Sequence, residues 1–352
     1  MSTSQPNLRW GIIGTGLISS WFVQDLTLER TDALATHTIQ AVGASSLEKA
    51  IKFVETHLWP QKQSSSVYGS YEELYKDPNI DIVYIGIPHA FHKQSCLDAI
   101  AHGKHVLCEK PFTLNATEAK EVFSAARDAG VFIMEAMWTR FFPLVSKLRS
   151  LVHRDRVVGD VVRVFCDFSM NQDIASLGPE SRLKNPALGA GSLLDIGIYS
   201  LMWGLILLDP NIGDQAQKPR IAATQTLCDN IDTMSSIILL YPDGKQGVLT
   251  SSTYVKTPAE FCRIEGTQGH ILVEGVAGSA PRSFTVYIKD EQGQKYEFER
   301  VGKGFYWEAD AVAFDIAAGR TQSDVMPWTE TIRVLEMLDG VRQQGGAKFP
   351  QD

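Results

Sequence analysis

Between residues 8 and 135 the chain alternates short β-branched runs with amphipathic helical stretches, and few folds accept that rhythm. The runs are "LRWGIIG", "HTIQAVGA", "DIVYIGIP", "KHVLCEK" and "VFIMEA". Their near-continuous apolar character is that of strands covered on both faces. Between them lie "GLISSWFVQDLTLER", "SLEKAIKFVETH", "HAFHKQSCLDAIAHG" and "NATEAKEVFSAARDAG". Gly103 and Gly130 stand where helix C-caps belong, and Asn115 with Glu118 three residues on reads as a capping box. The alternation predicts a doubly wound parallel sheet.

The pattern changes near residue 140. A helix over about 143–154 leads into a strand, "VVRVFCDFSM", and then a Gly-rich entry to a second helix, "SLLDIGIYSLMWGLILL". Seven further strands follow: "IAATQTLCD", "MSSIILLY", "QGVLTSSTYV", "FCRIEG", "GHILVEG", "FTVYIK" and "KYEFER". "PDGK" at 242–245 and "GTQG" at 266–269 read as hairpin turns. Two helices close the chain. The expected fold is therefore α/β: residues 1–138 form a Rossmann-type parallel sheet, and residues 139–352 an α+β domain with a large open-faced, mainly antiparallel sheet.

Composition narrows the function. The 352 residues carry 33 Lys and Arg against 41 Asp and Glu, a net charge of -8. That balance disfavours nucleic acid or an anionic membrane as the main partner. No apolar run is expected to reach the ~20 residues that span a bilayer. The five cysteines are scattered and form no C-x-x-C pair, so they read as reduced thiols of a cytoplasmic protein.

Two places carry chemistry. The first is "GIIGTGLIS", where Gly14, Thr15, Gly16, Leu17, Ile18 and Ser19 fit G-x-G-x-x-G with a small Ser in the third place. The motif follows a predicted strand and opens a helix, the context that dinucleotide binding requires. Gly14 permits the tight turn, and Gly16 lets the backbone approach a pyrophosphate at the helix N-terminus. At the end of the second strand an NAD-specific fold places an acid on the ribose hydroxyls. Here stand Ser45 and Ser46, with Lys49 one turn on, which favours a 2′-phosphate and hence NADP, with NAD still possible.

The second place is the pair of strand ends "IPHAFH" and "CEKPF", which bring Pro88, His92, Glu109 and Lys110 to the ligand edge of the sheet. A lysine there can act as a fixed cation beside a developing oxyanion. Pro111 biases it to extended backbone. Further on, Asp195 and Tyr199 are i and i+4 on one expected helix face. A phenol, pKa ~10, is a poor base until an ammonium lowers it. A Lys–Tyr pair can then take a hydroxyl proton as hydride leaves. His89, His92 and Cys96 recur at i, i+3 and i+7 but have no acidic or thiol partner near in sequence, so no metal is expected.

"GIIGTGLIS", "IPHAFH", "GKHVLCEKPFTLNATEA", "EAMWTRFFP", "GAGSLLDIGIYSL", "EADAVAFDIAAG" and "MPWTETIRVLEMLD" together resemble the glucose-fructose oxidoreductase/inositol dehydrogenase/MocA family. The nearest branch looks like the dimeric dihydrodiol dehydrogenases and NADP-dependent D-xylose dehydrogenases. The likeness runs from about residue 8 to 343. It implies NAD(P) across the strand ends, Lys110 and Tyr199 as the catalytic pair, Asp195 beside them, and Trp138 and Arg140 on the substrate side. It also implies a homodimer through the C-terminal sheet. The branch often has Arg at the position of Ser45, so the 2′-phosphate clamp here is expected to be weaker. The substrate expected is D-xylose, oxidised at C1 to the lactone, with a trans-dihydrodiol or another sugar as the alternative. A non-catalytic NADP sensor is the competing class, and retention of both Lys110 and Tyr199 argues against it.

Overall fold

Six short strands, β1 (Asn7–Ile13), β2 (Thr36–Gly43), β3 (Ser66–Tyr68), β4 (Ile82–Ile85), β5 (His105–Glu109) and β6 (Ile133–Ala136), form one sheet in the order β3-β2-β1-β4-β5-β6. Every pairing in it is parallel. β4 and β6 are buried along their whole length, as strands covered on both faces must be. Helices α1 (Leu17–Leu26), α2 (Leu47–His57), α3 (Tyr71–Tyr75), α4 (His92–Ala101) and α5 (Ala116–Ala129) make the crossovers. Gly103 and Gly130 take positive φ just past α4 and α5, as expected of C-caps. The computed structural model describes residues 5–59, 64–289 and 292–352. The sequence pattern passed over β3 and α3, which are too short to show a period.

The rest of the chain adds α6 (Pro143–Arg149), then β7 (Val161–Ser169), α7 (Ile198–Leu208), β8 (Arg220–Cys228), β9 (Ile231–Leu240) and β10 (Gln246–Ser252). There follow β11 (Glu260–Gly266), β12 (Gly269–Ala277), β13 (Ala280–Ile288), β14 (Gln294–Glu297), α8 (Phe305–Ala317) and α9 (Trp328–Gly345). The second sheet runs β14-β13-β12-β11-β7-β10-β9-β8. Its one parallel pairing is β7 with β10; the others are antiparallel, so the expected mainly antiparallel sheet is present. Both expected hairpin turns lie where the sequence put them, between β9 and β10 and between β11 and β12.

α7 lies on this sheet, and all its residues are buried. The stretch Pro186–Leu208 is apolar and long enough to cross a membrane by composition, yet 94% of its most apolar window is buried inside the fold, as in a core helix. The sequence reading missed it because Ser192, Asp195, Tyr199 and Ser200 are interspersed. A Cβ on Gly204 would lie 2.7 Å from Leu249 Cδ1, so that glycine sets how closely helix and sheet approach.

By contacts the chain forms two units: Met1–Thr113 with Thr117–Phe141 and Arg300–Trp328, and Leu114–Ala116 with Phe142–Glu299 and Thr329–Asp352. Residues 300–328, which the sequence reading grouped with the second domain, thus pack with the first unit. The reason is local. Asp25, at the end of α1, accepts the backbone N–H groups of Lys303, Gly304 and Phe305 and so caps α8.

Candidate active site

The carboxyl ends of the parallel strands share one edge, and the first unit brings most of its predicted site residues there. Gly14 N donates to Gly43 O (3.1 Å) at the end of β2, which ties the loop down. Gly14 has φ +93°, and a Cβ on it would lie 2.5 Å from Gly86 O. Only glycine fits. Gly16 precedes α1 with no side-chain cap, and a Cβ there would meet nothing within 4 Å. A helix start without a side-chain cap leaves N–H groups from which an anionic pyrophosphate can accept. Ser19, the small third residue, is buried and donates to Gly86 O at 3.4 Å. Thr15 and Ile18 are half-buried, and Leu17 is exposed on the open side.

At the end of β2, Ser46 caps α2 by accepting from Lys49 N (3.4 Å), and Lys49 Nζ donates to Ser45 Oγ (2.9 Å). Two hydroxyls, an ammonium and a helix N-terminus converge without a carboxylate at the two serine positions. This donor set suits a phosphate.

At the ends of β4 and β5 the geometry changes one expectation. His92, expected to contact cofactor, is fully buried. Its Nδ1 lies 2.9 Å from Pro111 O and its Nε2 2.8 Å from Ile87 O. The ring lies between the two strand-end turns, donating to one carbonyl or the other by tautomer, and both nitrogens face the backbone. Burial pushes its pKa down while the two carbonyls oppose that. Pro88 is half-buried beside it.

Glu109 is buried, and Lys110 half-buried. Tyr84 OH donates to Glu109 Oε1 (2.6 Å), and Lys110 N to Glu109 Oε2 (3.2 Å). Glu109 thus holds the backbone that carries Lys110, and the Lys110–Pro111 bond is cis. Glu308 on α8 is a residue the sequence reading missed. It is fully buried, and neither carboxyl oxygen has a hydrogen-bond partner among the described residues. Burial first, and Glu109 second, push its carboxyl well above the usual range. Trp138 stacks on Phe305 at 4.3 Å, and Arg140 reaches Met326 Sδ (3.0 Å) and Val325 O (3.5 Å). Both are largely buried against the returning segment 300–328.

In the second unit, Asp195 sits on a wide π turn, Leu193–Gly197, that runs into α7. A single α-helix was expected; the extra residue in the turn changes the register on which the i, i+4 argument relied. Asp195 accepts from Gln172 Nε2 (3.3 Å) and Arg182 Nη1 (3.2 Å), both from the long segment between β7 and the turn. Tyr199 is 4% exposed, its ring edge-on to Phe168. Gln172 and Arg182 carry no sequence signal, because an irregular segment with no helix or strand period joins them to their partner. Among the described residues no group of three His, Cys, Asp or Glu is placed to hold a metal.

Residues 8–137 match an oxidoreductase family with an NAD-binding Rossmann fold, and residues 145–272 match the GFO/IDH/MocA C-terminal domain. The chain is 31% identical to a D-xylose 1-dehydrogenase (NADP(+)) of Hypocrea jecorina, over 100% of this chain and 95% of that one. The chain belongs to the GFO/IDH/MocA oxidoreductase family. It is also 35% identical to a trans-1,2-dihydrobenzene-1,2-diol dehydrogenase of Sus scrofa, over 98% and 99% of the two chains. Among solved structures, an aldose-aldose oxidoreductase of Caulobacter crescentus complexed with glycerol shares the fold, with TM-score 0.81 and 21% identity over 97% and 98% of the chains. The resemblance read from the motifs is thereby established, and with it the oxidoreductase class.

Proposed function

We propose that this protein is an NADP-dependent dehydrogenase that oxidises a ring hydroxyl of an aldose or cyclic diol. D-xylose, oxidised at C1 to the lactone, is the first substrate, and a trans-dihydrodiol the second reading, favoured by the Sus scrofa relative. The observation that carries the reading is the shared strand-end edge of the first unit. The Gly14–Ile18 cradle, the Ser45–Lys49 donors and the Glu109–Lys110 turn all lie along it.

When bound, the nicotinamide supplies the acceptor for the hydride that leaves the carbinol carbon. Tyr199 takes the hydroxyl proton as the carbon–oxygen double bond forms, and Lys110 opposes the negative charge that develops on oxygen. Asp195, held by Gln172 and Arg182, orients the substrate hydroxyls. Trp138 and Arg140 are assigned to the substrate side. Four of the five free cysteines are buried, which suits a reducing cytoplasm, where we place the enzyme.

Steady-state rates with NADP over a panel of aldoses and trans-dihydrodiols test the reading. The expected result is D-xylose turnover at the highest kcat/KM, with lactone as product. Turnover of no panel member would overturn it in favour of a sensor. Ser45→Asp should shift the NADP/NAD preference toward NAD by setting a carboxylate against the 2′-phosphate. An unchanged ratio would place the phosphate elsewhere.

A further inference from the structure

The turn that carries Asp195 leads into the helix that carries Tyr199, and it is anchored by a buried carboxylate with no part in the reaction as assigned. Asp232, at the start of β9, is 1% exposed. Its Oδ2 accepts from Leu193 N (2.7 Å), Ser192 Oγ (2.8 Å) and Ser235 Oγ (2.9 Å). Ser192 Oγ also lies 3.0 Å from Ser251 Oγ, which extends the anchor to β10. The backbone is shaped around these groups. Gly191 has φ +133°, and a Cβ on it would lie 2.2 Å from Asp232 Oδ1. A Cβ on Gly197 would lie 2.8 Å from Ser251 Oγ. The glycines of "GAGSLLDIG" thus let the turn press down onto β9 and β10.

The start of a helical segment presents N–H groups with no partner of their own. A wide π turn at that point is a weaker arrangement than an α turn, and persists where the surroundings hold it. Here a negative group meets the N-terminal end of the segment, where it is electrostatically favoured. Burial pushes the Asp232 carboxyl up to about 6, against the pull of its donors.

We propose that Asp232 is a positioning residue for the reaction, fixing Asp195 and Tyr199 through Ser192 and Leu193. The inference rests on the assignment of Tyr199 to proton transfer. All three donors converge on one oxygen, so an amide carbonyl can replace it, whereas a methyl group cannot.

The test compares Asp232→Asn, Asp232→Ala and Tyr199→Phe in the full-length enzyme with NADP and its substrate. Rates are expressed per folded molecule, from near-UV circular dichroism. Asp232→Asn should keep kcat within about threefold, while Asp232→Ala should lose about 30-fold or more, the scale on which small misplacements of reacting groups act. The KM for NADP should not move, because the cradle residues belong to the other unit. A merely structural residue would change the melting temperature and folded fraction and leave kcat per folded molecule alone. That outcome, or equal losses in the Asn and Ala variants, overturns the proposal. If Asp232→Ala does not fold, Ser192→Ala takes its place. A kcat loss of about threefold or more with constant NADP KM then supports the proposal, and wild-type kcat overturns it. Tyr199→Phe at wild-type rate would instead overturn the catalytic assignment. Wild-type kcat in Asp232→Ala beside an inactive Tyr199→Phe overturns the positioning role alone.

Discussion

Lys110 and Tyr199 make different demands on a variant. Lys110→Met keeps the bulk of the side chain and removes its charge. NADP binding should stay near wild type, and kcat should fall by about 10²-fold, the usual scale for a lost acid–base group. Tyr199→Phe removes one oxygen and should lower kcat by a similar factor. Added primary amines separate the roles. They should restore part of the rate to Lys110→Ala if the lysine supplies a cation or proton, and none to Tyr199→Phe. A kcat within twofold of wild type in Lys110→Met would make that residue a strand-end charge. At this scale the sequence was most legible where function is local. Gly14, Gly16 and Ser19 lie within six residues of one another, and the structure gives a local reason for two of them, the backbone crowding at Gly14 and the bond from Ser19 to Gly86 O. It was least legible where partners are remote in the chain. Nothing near Asp232 in sequence marks it as an anchor for Leu193, nor does anything near Glu308 point to Glu109. His92 was legible as a strand-end residue, but its two carbonyl partners were not.

Among the elements, α8 is capped by one side chain outside it. Asp25 accepts from Lys303 N (2.9 and 3.0 Å), Gly304 N (2.6 Å) and Phe305 N (2.9 Å). Gly302 precedes them with φ +66°, and a Cβ on it would lie 2.3 Å from Asp25 Oδ1. Asp25→Ala removes a cap and leaves buried N–H groups without an acceptor, at an expected cost of about 2–4 kcal/mol. Urea unfolding of the whole chain measures it, and a loss under about 0.5 kcal/mol would mean the loop finds other partners. The long strands and helices were legible because period and turn chemistry agree over many residues. β3 and α3, three and five residues long, were not. Nor was the π turn at Leu193–Gly197, since an apolar pattern that suits an α-helix also tolerates one added residue.

For the whole molecule, the outer face of the second sheet bears on assembly. Ile238, Val248, Phe165, Arg263 and Leu272 are register neighbours across five strands, and so share a face. None of the five is buried, and Ile238 is 46% exposed. Four of the five are apolar and Arg263 is the fifth, and a partly exposed apolar cluster of this kind is a candidate contact surface. We expect a homodimer through it. Light scattering at micromolar concentration should give twice the chain mass, and Ile238→Lys should halve it. A monomeric wild type would count against the assignment.

The return of residues 300–328 to the first unit bears on how the protein is made. A ribosome releases the nucleotide-binding segment before the second sheet, yet α8 and the partner of Trp138, Phe305, leave only after that sheet. Until then Asp25 has no N–H groups from that segment to accept, and Trp138 lacks its stacking partner. The nascent enzyme must therefore wait, with its first unit incomplete, while the whole second sheet is synthesised. A chain broken off anywhere before residue 300 leaves both units unfinished rather than one whole and one missing, since α9 comes later still.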